Sequence, residues 1–445
     1  MKKQAIIFVD VDETEQTRYR YREPHFLAAR RQGLYCLTIA RTGRQYPERL
    51  YADSDQVFFL DKLNESTITA LLLEIRQDYQ LNALFCYTGQ ATRNGQIGVI
   101  IAHVCQAMGL RYASPRGISA CNNKFTMRQQ LANHGIPSVP YALCHNETQL
   151  IEKGKEIGYP LIAKPPFGAG SAFIKKCLTE QELVNHYAIY QREYYHSLSA
   201  DFFGSDSSDN DVLNVPGATI LLEAWIDGTE GSVECVITEE AIYPLIINEK
   251  LILTERANTV LENLLITPPV SFSLTEQQVI RDYACCCLKA VGLNNAIAHF
   301  EFRMTPDGPI AIEINPRIGG LYVSAAFVDI AGFNPWELYL DLLTGKENID
   351  RCLDQATSRV NNCLESYSMM ALYPDKKGIF KGFADLSFVE HHPDILEFDQ
   401  FPSGSPVSPD IEEYYLLKCW ARVKNAADAK SLYQKISEQI KPVIE

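Results

Sequence analysis

The sequence predicts a multidomain protein of mixed α/β and α+β class: a doubly wound domain first, a larger α/β unit in the middle, and a small α+β domain at the end. Two patterns carry this prediction. Over the first 120 residues, short apolar strands alternate with amphipathic helices, as in a parallel sheet. Near residue 300, two arms of alternating polarity flank Thr305-Pro306-Asp307-Gly308, a turn cluster that makes them a β-hairpin. A length of 445 residues at 46% hydrophobic content supports two to four domains with ample core. We divide the chain into 1–120, 121–218, 219–350 and 351–445.

Ala5–Val9 is a buried strand by composition. The following Asp10-Val-Asp12-Glu-Thr14 resembles the nucleophile motif of haloacid-dehalogenase phosphatases. No later lysine and paired-Asp motifs accompany it at suitable spacing, so a polar loop at a strand's carboxyl end is preferred. Leu34–Ala40 and Ala83–Tyr87 continue the strand pattern, with a helix through Ser66–Arg76. In Gln96–Met108, Ile97, Ile100, Ile101, Val104 and Met108 share one helical face, Asn94 is placed to cap it and Gly109 to stop it. Asn123-Lys124 opens a helix, Phe125–Asn133, that ends at Gly135-Ile-Pro137.

Tyr159–Lys164 reads as a strand, followed by the loop Pro165-Pro166-Phe167-Gly168-Ala169-Gly170-Ser171. A lysine at a strand end before a glycine loop places a cation and free backbone N–H groups where phosphates can sit. Asp201–Pro216 is polar enough to be a mobile loop. Thr219–Ile226 returns to strand, and Ser232–Thr238 and Ala241–Glu249 pair. Lys250 ends the second of these, within reach of phosphates or a carboxylate, or simply solvated. Thr275-Glu-Gln-Gln278 resembles a capping box before Val279–Val291. Tyr322–Ile330 and Trp336–Leu343 are helical by pattern. Met369–Phe388 and Tyr414–Val423 are strand-like, and Ala426–Ile440 reads as a closing helix.

The chemistry concentrates in Ala296–Gly320. Alternation sends Phe300, Phe302 and Met304 one way and Glu301 and Arg303 the other, while Ile310, Ile312 and Ile314 form the buried set of the second arm. Glu301, Glu313 and Asn315 then share a polar face, an oxygen-only donor set of the kind Mg²⁺ takes beside substrate phosphates. Arg317 follows on a chain stiffened by Pro316, and Gly319-Gly320 permits a close approach to a ligand.

Glu301 followed by Glu313-Ile-Asn315-Pro-Arg317-x-Gly-Gly resembles the metal-binding end of the ATP-grasp superfamily of carboxylate-activating ligases. The resemblance covers about Asn122–Lys346 and is greatest to the L-amino-acid ligases. It implies an ATP-grasp fold behind the doubly wound domain, with 121–218 holding the lid and 219–350 the metal site. It implies ATP and Mg²⁺ as cofactors, with Mn²⁺ as an alternative ion held by Glu301, Glu313 and Asn315. Lys124, Lys164 and the loop residues Gly168, Gly170 and Ser171 would meet the nucleotide phosphates. Glu223, Trp225 and Ile226 would meet adenine, and Glu230 the ribose. Arg317 and Lys250 would serve the reacting groups. The activity implied is an ADP-forming ligation of a carboxylate to an amine, both small molecules such as amino acids. A carboxylase acting on a small molecule or a non-catalytic ATP-binding module would share most of these motifs. The arginine argues against the module, and the lack of a Met-Lys-Met carrier segment argues against a fused biotin system.

Composition narrows the partners. Lys plus Arg is 41 against 55 for Asp plus Glu, a net charge of −14, and no basic patch stands out to neutralise a nucleic acid backbone. The longest apolar runs fall short of a membrane span, and Lys2-Lys3 leads into too short a run for a secretory signal. The thirteen scattered cysteines contain no C-x-x-C pair, which points to reduced core thiols in a cytoplasmic protein without zinc. A homodimer is the expected assembly.

Overall fold

A computed structural model describes residues 2–9, 23–86, 95–167, 172–194, 219–257, 259–409 and 413–445. The first sheet is parallel: β1 (Lys3–Val9), β2 (Tyr35–Arg41), β3 (Gln56–Leu60) and β4 (Tyr79–Cys86) lie in the order β3-β2-β1-β4. Its inner strands β1, β2 and β4 are apolar and buried over most of their length where helices pack on them, among them Glu65–Asp78 and Gly95–Met108, whereas the edge strand β3 is only half-buried. The first of these is capped by Asn64, which exchanges bonds with Thr67 in a capping box. The order reverses between β1 and β4, the place where open α/β sheets take ligands. Asp10 to Thr14, Tyr87 and Asn94 lie outside the described residues.

The second sheet, antiparallel, holds β5 (Tyr141–Cys144), β6 (Leu161–Lys164), β7 (Lys175–Cys177) and β8 (Ile220–Ala224) in the order β5-β8-β6-β7. Thus the 121–218 segment completes its sheet with a strand from beyond 218. Gly168, Gly170, Ser171 and the polar insert 201–216 lie outside the described residues.

The third sheet organises the molecule. It contains β9 (Thr229–Ile237), β10 (Ile242–Glu255), β11 (Val260–Thr267), β12 (Ala296–Thr305), β13 (Gly308–Asn315), β14 (Ser366–Leu372), β16 (Ile395–Gln400) and β18 (Leu417–Val423). These eight run β13-β12-β9-β10-β11-β14-β18-β16, every pairing antiparallel. The C-terminal strands therefore extend the central sheet rather than standing apart from it. A three-stranded sheet of β15 (Gly378–Phe383), β17 (Pro406–Val407) and β19 (Pro442–Ile444) and the helix Ala426–Gln439 complete that end. The strand expected over Met369–Phe388 is broken accordingly into β14, β15 and a short helix, Ser387–His391.

Two elements differ from the sequence pattern for local reasons. The helix expected from Val279 starts at Leu274, because Ser273 and Glu276 form the capping box rather than Thr275 and Gln278. The expected Tyr322–Ile330 helix is one turn of α-helix, Val323–Ala326, continued as a π-turn over Phe327–Ala331. The thiols are all free, as expected, although Cys286 and Cys352 are exposed and Cys285 and Cys363 half-buried rather than in the core. Among the described residues, no helix is long and apolar enough to cross a membrane.

The parallel domain is fixed to the rest by the helix Pro335–Thr344. Trp336 packs on His25 at 4.7 Å and Tyr339 on Phe85 at 5.4 Å, while Gln32 bonds to Asp341 at 2.7 Å. One continuous apolar core consequently runs from β1 to β12.

Candidate functional site

The hairpin forms as its alternation requires, with one difference that decides the site. Glu301 on β12 faces Glu313 on β13, and His299 faces Asn315. Between Glu301 and Phe302 the register slips, so that Phe302 faces Ala311 and Ile312 is the additional residue of a β-bulge. The bulge resets the side-chain alternation. Ala311 and Ile314 are buried, whereas Ile310 and Ile312, expected in the core, are only half-buried. Without the slip Glu313 would share Ala311's face; with it, the two glutamates come together.

Glu301 is held from both sides. His299 Nε2 lies 3.3 Å from its Oε1 and Lys250 Nζ 2.8 Å from its Oε2. Although burial alone would raise its pKa, Lys250 and His299 hold it well below the usual carboxylate range. His299 is itself anchored by fully buried Glu234, at 2.7 Å from Nδ1, which also accepts from Ser232 and Asn248 at 3.1 Å each. Burial pushes the imidazole down, but Glu234 and Glu301 outweigh it and hold it at about 10. Gly319 is required at the lid of this pair: a Cβ there would sit 2.7 Å from His299 Nδ1 and 3.1 Å from Glu234 Oε2. Its close approach is thus to the protein's own core.

Lys250 is not solvated, nor does it end its strand, because β10 continues to Glu255. Its buried ammonium meets Glu230 at 2.7 Å, Glu301 at 2.8 Å and also Glu262. The oxygens of these three glutamates converge within 4.8 Å, a set able to hold a cation. Lys250 supplies that cation from within the chain. Glu230 also pairs with Arg303, 2.7 Å from Nη2, and Arg303 Nη1 donates to Ile226 O at 2.8 Å. Two cations lie over the Trp225 ring, Arg303 at 4.1 Å and Lys176 at 3.8 Å from its centroid.

Across the hairpin, the helix Lys124–Asn133 projects two cations four residues apart. Lys124 Nζ is 3.0 Å from Glu313 Oε2, and Asn315 Nδ2 donates to Glu313 Oε1 at 2.6 Å. Arg128, fully buried, meets both Glu223 oxygens at 2.7 and 2.9 Å, and Lys164 joins the same carboxylate at 2.8 Å. Burial would raise the Glu223 pKa, but Arg128 and Lys164 bring it to about 2. Deleting one partner of so buried a pair costs about 3–5 kcal/mol. Arg317 bonds only to Ile318 O, at 3.0 Å, and pairs with no carboxylate among the described residues.

Arg128, Glu234, Glu262 and His299 were absent from the sequence-derived set. Two had legible signals: His299 stands two residues before Glu301, on the same strand face, and Arg128 stands four after Lys124 on one helix face. Glu234 and Glu262 depend on sheet order, which sequence does not display.

The C-terminal end also reaches this network. Tyr373 Oη donates to Glu262 O at 2.8 Å, and Tyr415 Oη to Glu413 Oε2 at 2.9 Å. Burial and the neighbouring Glu262 push Glu413 up to about 8 from an ordinary 4.5. Between these values the native state keeps a proton that the unfolded chain has released, so this group's contribution to stability falls as pH rises through that window. Glu413→Gln removes the titration and keeps an acceptor for Tyr415. Its thermal midpoint should match the parent near pH 4 and exceed it by about 2–4 °C above pH 8. Parallel midpoints across that range, by scanning calorimetry, would contradict the assignment.

The donor chemistry fits a hard divalent ion. Glu301, Glu313 and Asn315 offer oxygens only, and the bond from Asn315 Nδ2 leaves its Oδ1 as acceptor.

The family description ATP-grasp domain matches residues 157–325, which include Lys164, Glu223 and the whole hairpin through Arg317. A Sinorhizobium fredii protein, y4rH, is 26% identical over 298 residues, 66% of this chain and 55% of its own. Human carnosine synthase 1 is 26% identical over 242 residues, 53% of this chain and 28% of its own. The chain therefore spans about half of the first relative and little more than a quarter of the second. The solved structure of an L-amino acid ligase from Bacillus licheniformis superposes with a TM-score of 0.75 at 17% identity, covering 100% of this chain and 99% of that one. At that identity the likeness shows the fold.

Proposed function

Because the chain carries an ATP-grasp domain, we propose that it is an ATP-dependent carboxylate–amine ligase joining two amino acids, or an amino acid and another small carboxylate, with release of ADP and phosphate. The observation that carries the reading is the facing pair Glu301 and Glu313, with Asn315 beside them and, two residues on, Arg317, which meets no carboxylate among the described residues. The γ-phosphoryl group passes to a carboxylate oxygen as the bond to ADP breaks. The amine nitrogen then attacks the acyl carbon, phosphate leaves with its bonding pair, and the nitrogen loses a proton. This chemistry is mainly positioning and charge neutralisation.

Glu301, Glu313 and Asn315 hold Mg²⁺ in this reading, which would supply positive charge at the phosphates. Lys124 and Lys164 neutralise the nucleotide's phosphates, and Lys124, now on Glu313, moves between carboxylate and phosphate. Glu223, expected at the adenine, has both oxygens taken by Arg128 and Lys164 and serves here to keep Lys164 in place, while Trp225, Ile226 and Glu230 form the nucleoside side. Lys250 acts through Glu230, Glu262 and Glu301 and is assigned to positioning rather than to the reacting groups. The wider reading is a cytoplasmic enzyme, working as a homodimer.

The test is ADP and phosphate release across amino acids, singly and in pairs, with and without bicarbonate. Release that requires an amine and yields an amide supports the ligase. Release that requires bicarbonate alone assigns the carboxylase reading, and none in any arm removes both.

A further inference from the structure

Arg128 spends all five of its N–H donors. Nε and Nη2 take the two Glu223 oxygens, Nη1 donates to Ser138 Oγ at 3.0 Å and Ala311 O at 2.7 Å, and Nη2 also reaches Ile312 O at 3.4 Å. Ala311 and Ile312 are the residues of the β13 bulge, and β13 is the edge of the eight-stranded sheet. An edge strand leaves backbone groups unpaired, and a bulge there leaves more. The Ala311 N–H is also provided for: it donates to Tyr283 Oη at 3.1 Å, and that hydroxyl donates to Pro137 O at 2.7 Å.

We propose that Arg128 is a positioning residue that fixes the β13 bulge, and so sets Glu313 opposite Glu301, while joining that hairpin to Glu223 and Lys164 on the neighbouring sheet. One guanidinium then couples the geometry of the metal carboxylates to that of a phosphate-side lysine. The metal half of this inference rests on the ligase reading above; the bulge half does not. A lysine cannot replace it, having three donors and no planar fork to span a carboxylate and two carbonyls.

Arg128→Lys is the primary variant. Hydrogen exchange of the unliganded protein should show faster exchange in peptides covering 309–315 and 220–224 than in the parent, with β1 to β4 unchanged. Mn²⁺, followed by electron paramagnetic resonance in the presence of ATP, should bind about 10–100-fold more weakly, the scale for losing an outer partner of a metal ligand. In the Glu313→Gln background the same change should cost little further Mn²⁺ affinity, because the ligand being positioned is gone. If Arg128→Lys does not fold, Glu223→Gln keeps the volume, loosens the guanidinium and should raise exchange in the same two segments to a smaller extent. Exchange unchanged in 309–315, or raised equally over the whole chain, would overturn the proposal. Failure of the parent to bind Mn²⁺ would count against the ligase reading and leave exchange in 309–315 to decide Arg128.

Discussion

Glu313→Gln is expected to lower turnover by roughly a thousandfold, the upper scale for removing one preorganised charged group from a reacting centre, while the protein folds as before. Glutamine preserves the volume and the strand position, and the Glu313 side chain, at 19% exposure, still reaches solvent. What disappears is the charge that accepts Lys124 at 3.0 Å and one of two facing carboxylates. Lys124 is then left without that partner, so ATP binding in the absence of Mg²⁺ should hold or strengthen slightly while the Mg²⁺-dependent increment is lost. Calorimetric ATP titrations with and without Mg²⁺, beside ADP release, separate these effects. Near-normal ADP release at ordinary Mg²⁺ would remove Glu313 from the metal set.

The hairpin itself was legible because a strand's period of two and a Pro-Asp-Gly turn are local signals. Its bulge was not. Ile310, Ile312 and Ile314 present an unbroken alternation, and nothing in an Ile-x-Ile run marks which residue the partner strand will skip. The polar face was inferred correctly only because Glu313 and Asn315 lie beyond the slip, while Ile310 and Ile312 lie on the wrong side of it.

Lys250 illustrates a different limit. A lysine near a presumed strand end reads as aimed at a substrate or as solvated, yet its partners come from β9, β11 and β12, three strands whose adjacency follows from the order β12-β9-β10-β11. Sequence gives the strands but not that order. The same holds for the C-terminal end, whose alternating segments were visible as strands while their continuation of the central sheet was not. Arg128 was missed although its signal was local, since it stands four residues after Lys124 on one helix face; its target, Glu223 on another sheet, was not legible.

Arg317→Lys should lower kcat by roughly a hundredfold or more, the scale for one preorganised charge-stabilising group, with ATP affinity little changed. Among the site's cations, Lys124, Lys164 and Lys250 each meet a carboxylate within 3.0 Å. Among the described residues the Arg317 guanidinium bonds only to the Ile318 carbonyl, and its own backbone N–H is turned back to Asn315 O at 2.8 Å, so the chain bends sharply where the strand ends. Its guanidinium is thus available to charge that develops during reaction, which is the condition for raising kcat rather than tightening ground-state binding. A planar fork can hold two oxygens at once, and an ammonium cannot match that geometry. ATP binding should survive because Lys124, Lys164 and the Glu223–Ile226 segment remain as they were. Calorimetric ATP binding and amine-dependent phosphate release make the comparison. Lost ATP binding with kcat intact at saturation would make Arg317 a nucleotide anchor, whereas no change in either would place the transition-state charge elsewhere.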